Sequence, residues 1–281
     1  MTLSSTGYLV AAARAANRAV AAFNVITLEH AEGIVAGAER AGMPVILQIS
    51  ENAVKFHEGR LLPIAWASRA VAEAAGVPVS LHLDHVESES LLHQAADAGF
   101  SSVMFDASHA DYAENVRQTG RAAAWAHQNG LVIEAELGQV GGKDGVHLGA
   151  HEPGARTDPG EAAAYVTATG VDALAVAVGS SHAMTERTAG LDFELIARLR
   201  EAVPVPLVLH GSSGVPDDAL AKGVREGIVK VNIGTALNIA YTGAVRDFLA
   251  GDGKSVDPRK YLEPARRALA DTVAQMLAVV S

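Results

Sequence analysis

The segment PLVLHGSSGVPDDALAKGVREGIVKVNIG, residues 206–234, contains two short apolar runs, PLVLHG at 206–211 and GIVKVNIG at 227–234. Both runs are rich in Val, Ile and Leu, which favours β-strands. Between them, Pro216 stands where the first turn of a helix would begin. Two strands joined through a helix are typically parallel neighbours in one sheet. The segment therefore predicts a strand–helix–strand unit.

The same alternation recurs along the rest of the chain. Further strand-like runs are AVAAFNVI at 19–26, PVILQIS at 44–50, PVSLHLD at 78–84, SVMFDA at 102–107, LVIEAELG at 131–138 and ALAVAVG at 173–179. The stretches between them are rich in Ala, Glu and Arg at helical spacing, and several end in Gly, a common helix stop. About eight such units over roughly 250 residues are typical of a (β/α)8 TIM barrel. We therefore predict an α/β fold with a single TIM-barrel domain over residues 1–281; an open, doubly wound sheet is the alternative.

The composition narrows the class of protein. Of the 281 residues 49% are hydrophobic, yet no run approaches the ~20 apolar residues that a membrane span needs. The Ala-rich N-terminal segment is interrupted by Arg14, Asn17 and Arg18, which favours an amphipathic helix over a signal peptide. The net charge of −10 provides no basic surface for nucleic acid or anionic lipid. The absence of Cys excludes thiolate metal ligands and fits a reducing compartment, so we expect a cytoplasmic protein with no nucleic-acid or membrane partner.

Polar side chains collect at the ends of the predicted strands. They are Asn24, Ser50, Asp84, His85, Asp106, Ser108, His109, Glu136, His182, His210, Ser212, Ser213, Asn232 and Thr235. The strand starts carry nothing comparable, and prolines stand there instead, at Pro44, Pro78 and Pro206. In TIM barrels the active site lies at the carboxyl ends of the strands. The sequence therefore predicts an active site on this rim.

Three histidines on this rim, His85, His182 and His210, follow three different strands. A barrel brings such residues to the same opening. Three neutral imidazoles with one open position form a catalytic zinc site, in which the metal acts as a Lewis acid on a carbonyl group. We therefore predict that the protein binds Zn²⁺ through these histidines.

A second set of residues predicts a phosphate site. The motif HGSSGVPDD places Gly211 and Ser213 just before Pro216 and the predicted helix start. Backbone N–H groups at helix starts bind phosphate, and the loops after strands 7 and 8 of a barrel are a common place for such a site. Asn232 and Thr235, from VNIGT, would complete the pocket. An ordinary Gly/Ser turn is the alternative interpretation.

A larger set of motifs resembles a known family. The motifs LHLDH, SVMFDASH, EAELGQVGG, TDPGEAAAYV, TGVDALAVAVGSSH, LVLHGSSGVP, VKVNIGT and DPRKYLEPARRAL occur in this order. Together, from about Tyr8 to the C-terminus, they are similar to the class II, metal-dependent ketose-bisphosphate aldolases, which include fructose- and tagatose-bisphosphate aldolases. The resemblance implies zinc, reversible aldol cleavage of a ketose (bis)phosphate to dihydroxyacetone phosphate and an aldehyde, and a homodimer or homotetramer of barrels.

The resemblance also implies roles for metal-binding residues. His85, His182 and His210 match the family's zinc ligands. Asp106 and Glu136 match carboxylates near the metal, which can hold it, or a second ion, in an alternative position.

Other matches concern proton transfer and the substrate. Asp84 matches the acid/base that exchanges a proton with the aldehyde oxygen. Arg259 matches an arginine that reaches the second phosphate across a subunit interface; as an isolated residue it would simply be solvated surface. Asn24 and Ser50, at the ends of the first two strands, are assigned to the substrate site.

The chain departs from the family pattern at three positions. The loop motif GG-x-E-D reads GGKDG here, so Asp144 stands where the family's Glu moves the proton at the carbon next to the ketone. Ala183 replaces the Gly that usually follows the second zinc histidine, which narrows a backbone contact to phosphate or a monovalent cation. Gly234 replaces the Asp of fructose-type members and favours the tagatose type, whereas LQISENAVKF is more similar to some fructose-type members.

Three alternative functions remain open at this point. A metal-dependent hydrolase on the same barrel would require a His-x-His pair on the first strand, which AAFNV lacks. A Schiff-base aldolase could use Lys230 on the last strand but would leave the histidines unexplained. A non-catalytic or re-purposed phosphosugar-binding relative, acting on a different ketose phosphate, is compatible with the three departures.

Overall fold

Parallel strands close into a barrel in the computed structural model, which describes residues 3–137, 156–181 and 184–281. The strands are β1 (Val20–Asn24), β2 (Val45–Ser50), β3 (Val79–Val86), β4 (Ser102–Phe105), β5 (Val132–Leu137), β6 (Ala173–Val176), β7 (Leu207–Leu209) and β8 (Ile228–Ile233). Each strand overlaps a run predicted from the sequence. Pairing of β8 with β1 leaves no open sheet edge, so the TIM barrel is confirmed and the open-sheet alternative is wrong.

Helices connect the strands and cover the outside of the barrel. They are α1 (Thr6–Ala15), α2 (Leu28–Ala41), α3 (Glu51–Phe56), α4 (Leu61–Ala74), α5 (Glu89–Leu92), α6 (Tyr112–Gln128), α7 (Pro159–Thr169), α8 (Phe193–Ala202), α9 (Asp217–Glu226), α10 (Thr235–Gly251) and α11 (Arg259–Val280), with a 3₁₀ turn at Ser212–Gly214. In the described ranges, no helix combines the length and the apolar character needed to cross a membrane.

Local sequence explains where several helices begin and end. The carboxylates of Asp111, Asp158 and Asp192 accept hydrogen bonds from backbone N–H groups in the first turns of α6, α7 and α8. Gly42 and Gly170 follow α2 and α7 in the left-handed backbone conformation that commonly ends a helix. These residues therefore mark where the helices begin and end.

The main hydrophobic core lies between the outer face of the sheet and the helices. Strand residues such as Leu47, Leu81 and Leu83 are buried there together with Ile34 of α2 and Leu269 of α11. Because successive side chains of a strand point to opposite faces, the residues between them point into the barrel. The side chains inside the barrel therefore pack separately from the main core between the sheet and the helices.

Helix α1 closes the amino-terminal end of the barrel. Its residues Leu9 and Val10 form a small buried cluster with Val20 of β1, Ile46 of β2 and Val229 of β8. The opposite end, where the strands finish, is the end at which the polar residues were predicted to meet.

Candidate active site

A cavity of about 490 Å³ opens at the carboxyl ends of the strands. Residues predicted from the sequence that line it are Asn24, Ser50, Asp84, His85, Gly211, Ser213, Asn232 and Thr235. Lining residues that the sequence reasoning did not single out include Gln48, Glu51, Asn52 and Lys55. The polar strand ends therefore surround one shared pocket.

A bulge at the end of β3 turns both Asp84 and His85 toward this pocket. Between residues 83 and 86 the pairing with β4 shifts, so that β3 carries one extra residue there. His85 has φ 49°, a left-handed backbone conformation that is uncommon for a residue with a side chain. In a regular strand two adjacent residues would point to opposite faces, and the bulge removes that alternation. The strain at His85 thus accompanies the placing of two adjacent polar side chains in one site.

The imidazoles of His85 and His210 face each other edge to face, with ring centroids 4.8 Å apart. Nε2 of His85 lies 3.1 Å from Nδ1 of His210. The other ring nitrogen of His85, Nδ1, lies 2.8 Å from Oδ2 of Asp106. Glu136 Oε2 lies 4.0 Å from Nδ1 of each histidine. The structure therefore brings together four of the residues assigned to the metal site.

This donor set fits a metal ion. Two groups of side chains each place their ligand atoms within 4.8 Å of one another: Asp84 with His85 and His210, and His85 with Asp106 and Glu136. Imidazole nitrogens and carboxylate oxygens are common zinc ligands. With Zn–N bonds of 2.0–2.1 Å, two nitrogen ligands of a tetrahedral zinc stand roughly 3.3 Å apart. The facing nitrogens of His85 and His210 already have nearly this separation.

The electrostatics of the site keep Asp84 ionised. Burial alone would raise the pKa of this carboxyl, but His85 and His210 are foremost among the groups that together bring it below its usual value. Oδ1 of Asp84 accepts a hydrogen bond from Asn232 Nδ2 at 3.4 Å. In turn, burial lowers the pKa of His85, but Asp84, the hydrogen bond to Asp106 and other carboxylate charge raise it to about 9. Asp84, His85, Asp106 and His210 therefore form a cluster of mutually interacting charges.

The loops after β7 and β8 form the other side of the pocket. Gly211 has φ 66°, and a Cβ atom there would lie 2.5 Å from the carbonyl carbon of Ser181, so only glycine fits. Ser213 Oγ accepts a hydrogen bond from the backbone N–H of Ala236 at 3.1 Å and so joins the β7 loop to α10. Thr235 is the first residue of α10. A helix start of this kind suits an anionic ligand.

The first two strands place amide and hydroxyl groups opposite this helix start. Gln48 Nε2 donates to Asn24 Oδ1 at 2.6 Å. A Cβ atom at Gly234 would lie 3.0 Å from the same oxygen, so a side chain there requires Asn24 to move. Ser50 Oγ accepts from the backbone N–H of Ala53 at 3.2 Å and caps α3. The glycine at position 234, where fructose-type members have Asp, therefore leaves room for Asn24 in its present position.

Other predicted residues lie either outside the described part of the chain or away from the pocket. Asp144, His182 and Ala183 lie outside the described residues. The Arg259 side chain, at the start of α11, is 89% exposed, and its Nη2 forms an ion pair with Asp257 Oδ2 at 2.8 Å. Within the described part of the chain, Arg259 is not among the residues that line the cavity. Its contact with substrate across a subunit interface stays a prediction.

The sequence reasoning missed the charged pair beneath the site. Lys230 Nζ donates to Glu134 Oε2 at 2.8 Å, and Glu134 Oε1 lies 2.9 Å from His210 Nε2. Both charged side chains are buried inside the barrel. The spacing along the strands could have revealed both residues. Glu134 stands two residues before Glu136, and Lys230 stands two residues before Asn232, so Glu134 and Lys230 lie on the same inward face of their strands as these predicted site residues.

Comparisons with known proteins agree with this geometry. The family model described as class-II fructose-bisphosphate aldolase matches residues 4–281. The fructose-bisphosphate aldolase of Geobacillus stearothermophilus is 39% identical over 274 residues, which are 97% of this chain and 95% of that protein. Among solved structures, the YdjI aldolase from Escherichia coli K12 has a TM-score of 0.83 and 32% identity, covering 99% of this chain and 97% of its own. A putative fructose-1,6-biphosphate aldolase from Coccidioides immitis has a TM-score of 0.86 and 30% identity, covering 98% and 95%.

Proposed function

Because the chain belongs to the class-II fructose-bisphosphate aldolase family and is therefore an aldolase, we propose that it catalyses the zinc-dependent, reversible cleavage of a ketose (bis)phosphate to dihydroxyacetone phosphate and an aldehyde. The observation that carries this proposal is the pair of facing nitrogens on His85 and His210, 3.1 Å apart, beside the buried carboxylate of Asp84. Aldol cleavage needs an electrophilic group at the ketone and a base at the hydroxyl, and this arrangement can supply both.

The metal site would use the residues identified from the sequence. His85, His182 and His210 would hold the zinc ion, with Asp106 and Glu136 close enough to hold it, or a second ion, in an alternative position. When bound, zinc supplies a Lewis acid that polarises the carbonyl of the substrate. The fit rests on the donor types and on the separation of the facing nitrogens.

Two carboxylates would move the protons. In the cleavage direction Asp84 accepts the proton of the hydroxyl on the carbon that becomes the aldehyde; its lowered pKa keeps it ionised for this step. The carbon–carbon bond then breaks, and its electron pair stays with the fragment that contains the ketone. Asp144, protonated at this stage, gives its proton to the carbon next to the ketone, which completes dihydroxyacetone phosphate. Exchange with solvent then removes the proton from Asp84 and restores the one on Asp144. In the condensation direction both residues work in reverse.

The pocket would bind the two ends of the substrate differently. Gly211, Ser213 and Thr235 would hold the phosphate next to the ketone through the loop after β7 and the start of α10, with Asn232 beside them. The proposal is supported by their position, because the loops after strands 7 and 8 commonly form the phosphate site of a barrel.

At the aldehyde end, Asn24 and Ser50 would contact the sugar, and Arg259 of a neighbouring subunit would reach a second phosphate in a homodimer or homotetramer. Gly234 favours a substrate of the tagatose-1,6-bisphosphate type, and the segment around Ser50 favours the fructose type. We therefore propose these two ketose bisphosphates as the first substrates to compare.

The test is a cleavage assay on the zinc-loaded protein. Fructose 1,6-bisphosphate, tagatose 1,6-bisphosphate and the corresponding 1-phosphates are supplied in turn, and dihydroxyacetone phosphate is detected by enzymatic reduction. We expect cleavage of at least one bisphosphate, loss of cleavage with a chelator, and recovery on adding zinc. Chelator-resistant cleavage with borohydride trapping at Lys230 would instead support the Schiff-base mechanism. Absence of dihydroxyacetone phosphate from every substrate would contradict the proposal.

A further inference from the structure

The interior of the barrel contains a charged pair that the proposed reaction does not use. Lys230 is 1% exposed and Glu134 is 3% exposed, and they form an ion pair at 2.8 Å in the middle of β8 and β5. TIM-barrel interiors are usually filled by branched apolar side chains. A buried ion pair is often no more stabilising than apolar residues of similar size, because both charges lose their hydration. The pair therefore calls for an explanation other than stability.

The contact that Glu134 makes through its second oxygen supplies such an explanation. Oε1 lies 2.9 Å from Nε2 of His210, on the side of the ring away from His85. Nε2 also lies 3.1 Å from Nδ2 of Asn232, an amide nitrogen that can donate to Asp84 Oδ1 instead. An ionised carboxylate only accepts hydrogen bonds, so the shorter contact with Glu134 places the proton on Nε2. In a neutral imidazole the lone pair then belongs to Nδ1, the nitrogen that faces His85 at 3.1 Å. The contact thus selects which nitrogen of His210 is available to a metal.

His85 has the mirror-image arrangement. Asp106 contacts its Nδ1 at 2.8 Å, so once His85 is neutral, as metal binding requires, its lone pair is on Nε2. In their neutral forms the two rings therefore each have a carboxylate on the outer nitrogen and a lone pair toward the other ring. Carboxylates in this position fix the ring and raise the basicity of a metal-binding histidine.

We propose that Glu134 and Lys230 are positioning residues that hold His210 in the tautomer whose lone pair is on Nδ1, the form that can bind the metal. Glu134 sets the proton on His210, and Lys230 keeps Glu134 an acceptor by occupying its other oxygen. The inference rests on the proposed function, because it requires His210 to be a metal ligand. It also gives Lys230 a role that differs from Schiff-base chemistry, since its nitrogen is engaged beneath the site.

The experiment compares zinc affinity and stability in a double variant. Glu134→Gln with Lys230→Met removes both charges while keeping the side-chain sizes similar, so that no buried charge is left unpaired. Tyr165→Phe is the matched control: it removes a buried hydroxyl that bonds Asn115 and Thr119, away from the facing histidines. Zinc dissociation constants are measured by competition with a chromophoric chelator, and folding is followed by thermal unfolding of the metal-free proteins.

We expect the double variant to bind zinc about 10–100-fold more weakly than the wild type, with an unfolding temperature at or near the wild-type value. The control should show the opposite pattern, with lower stability and unchanged affinity. If the pair were merely structural, the double variant would lose stability and keep its affinity, and that result would overturn the inference.

A second measurement uses the protein with Glu134 and Lys230 unsubstituted. Long-range ¹H–¹⁵N spectra of histidine-labelled, metal-free wild type report the tautomer of each ring, and the His210 signal is assigned by its absence in His210→Ala. We expect the proton on Nε2; a proton on Nδ1 would refute the inference even if the double variant fails to fold. Failure of the proposed function looks different: the wild type would bind no zinc, or His210→Ala would bind it as tightly as the wild type.

Discussion

Asp84 stands next to a proposed zinc ligand, yet we assign it to proton transfer and not to metal binding. The distinction can be tested with Asp84→Asn. The amide keeps the shape of the carboxylate and can still accept from Asn232, whose Nδ2 lies 3.4 Å from Oδ1. What it loses is the ability to accept a proton at neutral pH. The substitution therefore separates the two roles.

The expected size of the effect follows from the role. A positioned general acid/base contributes about 10²–10⁴-fold to rate. At about 1.36 kcal/mol per tenfold, this raises the activation free energy by about 3–5 kcal/mol. We expect kcat for ketose-bisphosphate cleavage to fall by that factor in Asp84→Asn, while the protein retains one zinc per subunit with an affinity within a few-fold of the wild type.

Asp106→Asn is the matched control, because it changes the same group on the neighbouring strand. Asp106 contacts Nδ1 of His85 at 2.8 Å, so its loss should weaken zinc binding by about 10–100-fold. Zinc content is measured by elemental analysis after dialysis and affinity by chelator competition. A large loss of zinc from Asp84→Asn would show that Asp84 is a ligand, which its position within 4.8 Å of the histidine nitrogens permits, and the proposed role would be wrong.

Three further predictions concern the rest of the site. Burial opposes protonation of His85, but the neighbouring carboxylates outweigh burial and raise the pKa of His85 to about 9. Because this proton must leave before a metal binds, zinc affinity should rise about tenfold per pH unit from pH 7 toward 9. A zinc affinity that does not change with pH would contradict this prediction. Asp144→Ala should stop deuterium exchange into dihydroxyacetone phosphate while zinc binding survives, and Asp144→Glu should retain exchange; unchanged exchange in Asp144→Ala would remove this residue from the mechanism. Arg259→Ala should raise KM for a ketose bisphosphate by about tenfold or more but leave KM for the 1-phosphate unchanged, and equal effects on both would argue against a contact with the second phosphate.

The fold was predictable because its signal is local and repeated. Each strand coincides with a short apolar run, and several of the helical stretches between the runs have a recognisable cap or stop, as at Asp158 and Gly170 for α7. Parallel barrel strands are buried on both faces, which makes these runs easy to recognise. The convergence of Asp84, His85 and His210 on one end then followed from the topology.

The details of the site were not predictable in the same way. Strict alternation along β3 would separate Asp84 from His85, and it is the bulge, with the left-handed backbone at His85, that unites them. A bulge depends on pairing with β4, which is a tertiary contact and leaves little trace in the sequence of β3 itself. The contact between Gln48 and Asn24 is likewise set by the register of two strands.

Alternation along the strands nevertheless gives the barrel interior a two-layer organisation. Strands β3, β5 and β8 each carry a titratable residue in the same alternating pattern, with His82 two positions before Asp84, Glu134 before Glu136, and Lys230 before Asn232. The later member of each pair lies in or beside the pocket, and the earlier member lies one step deeper. The deeper layer is where charges are hardest to accommodate, because His82, Glu134 and Lys230 are only 1–3% exposed. A buried ion pair adds little to stability on average, and the proposal that Glu134 and Lys230 orient His210 gives a reason for a pair directly beneath that residue. Stability and metal affinity should therefore be separable in this barrel by changes confined to the deeper layer.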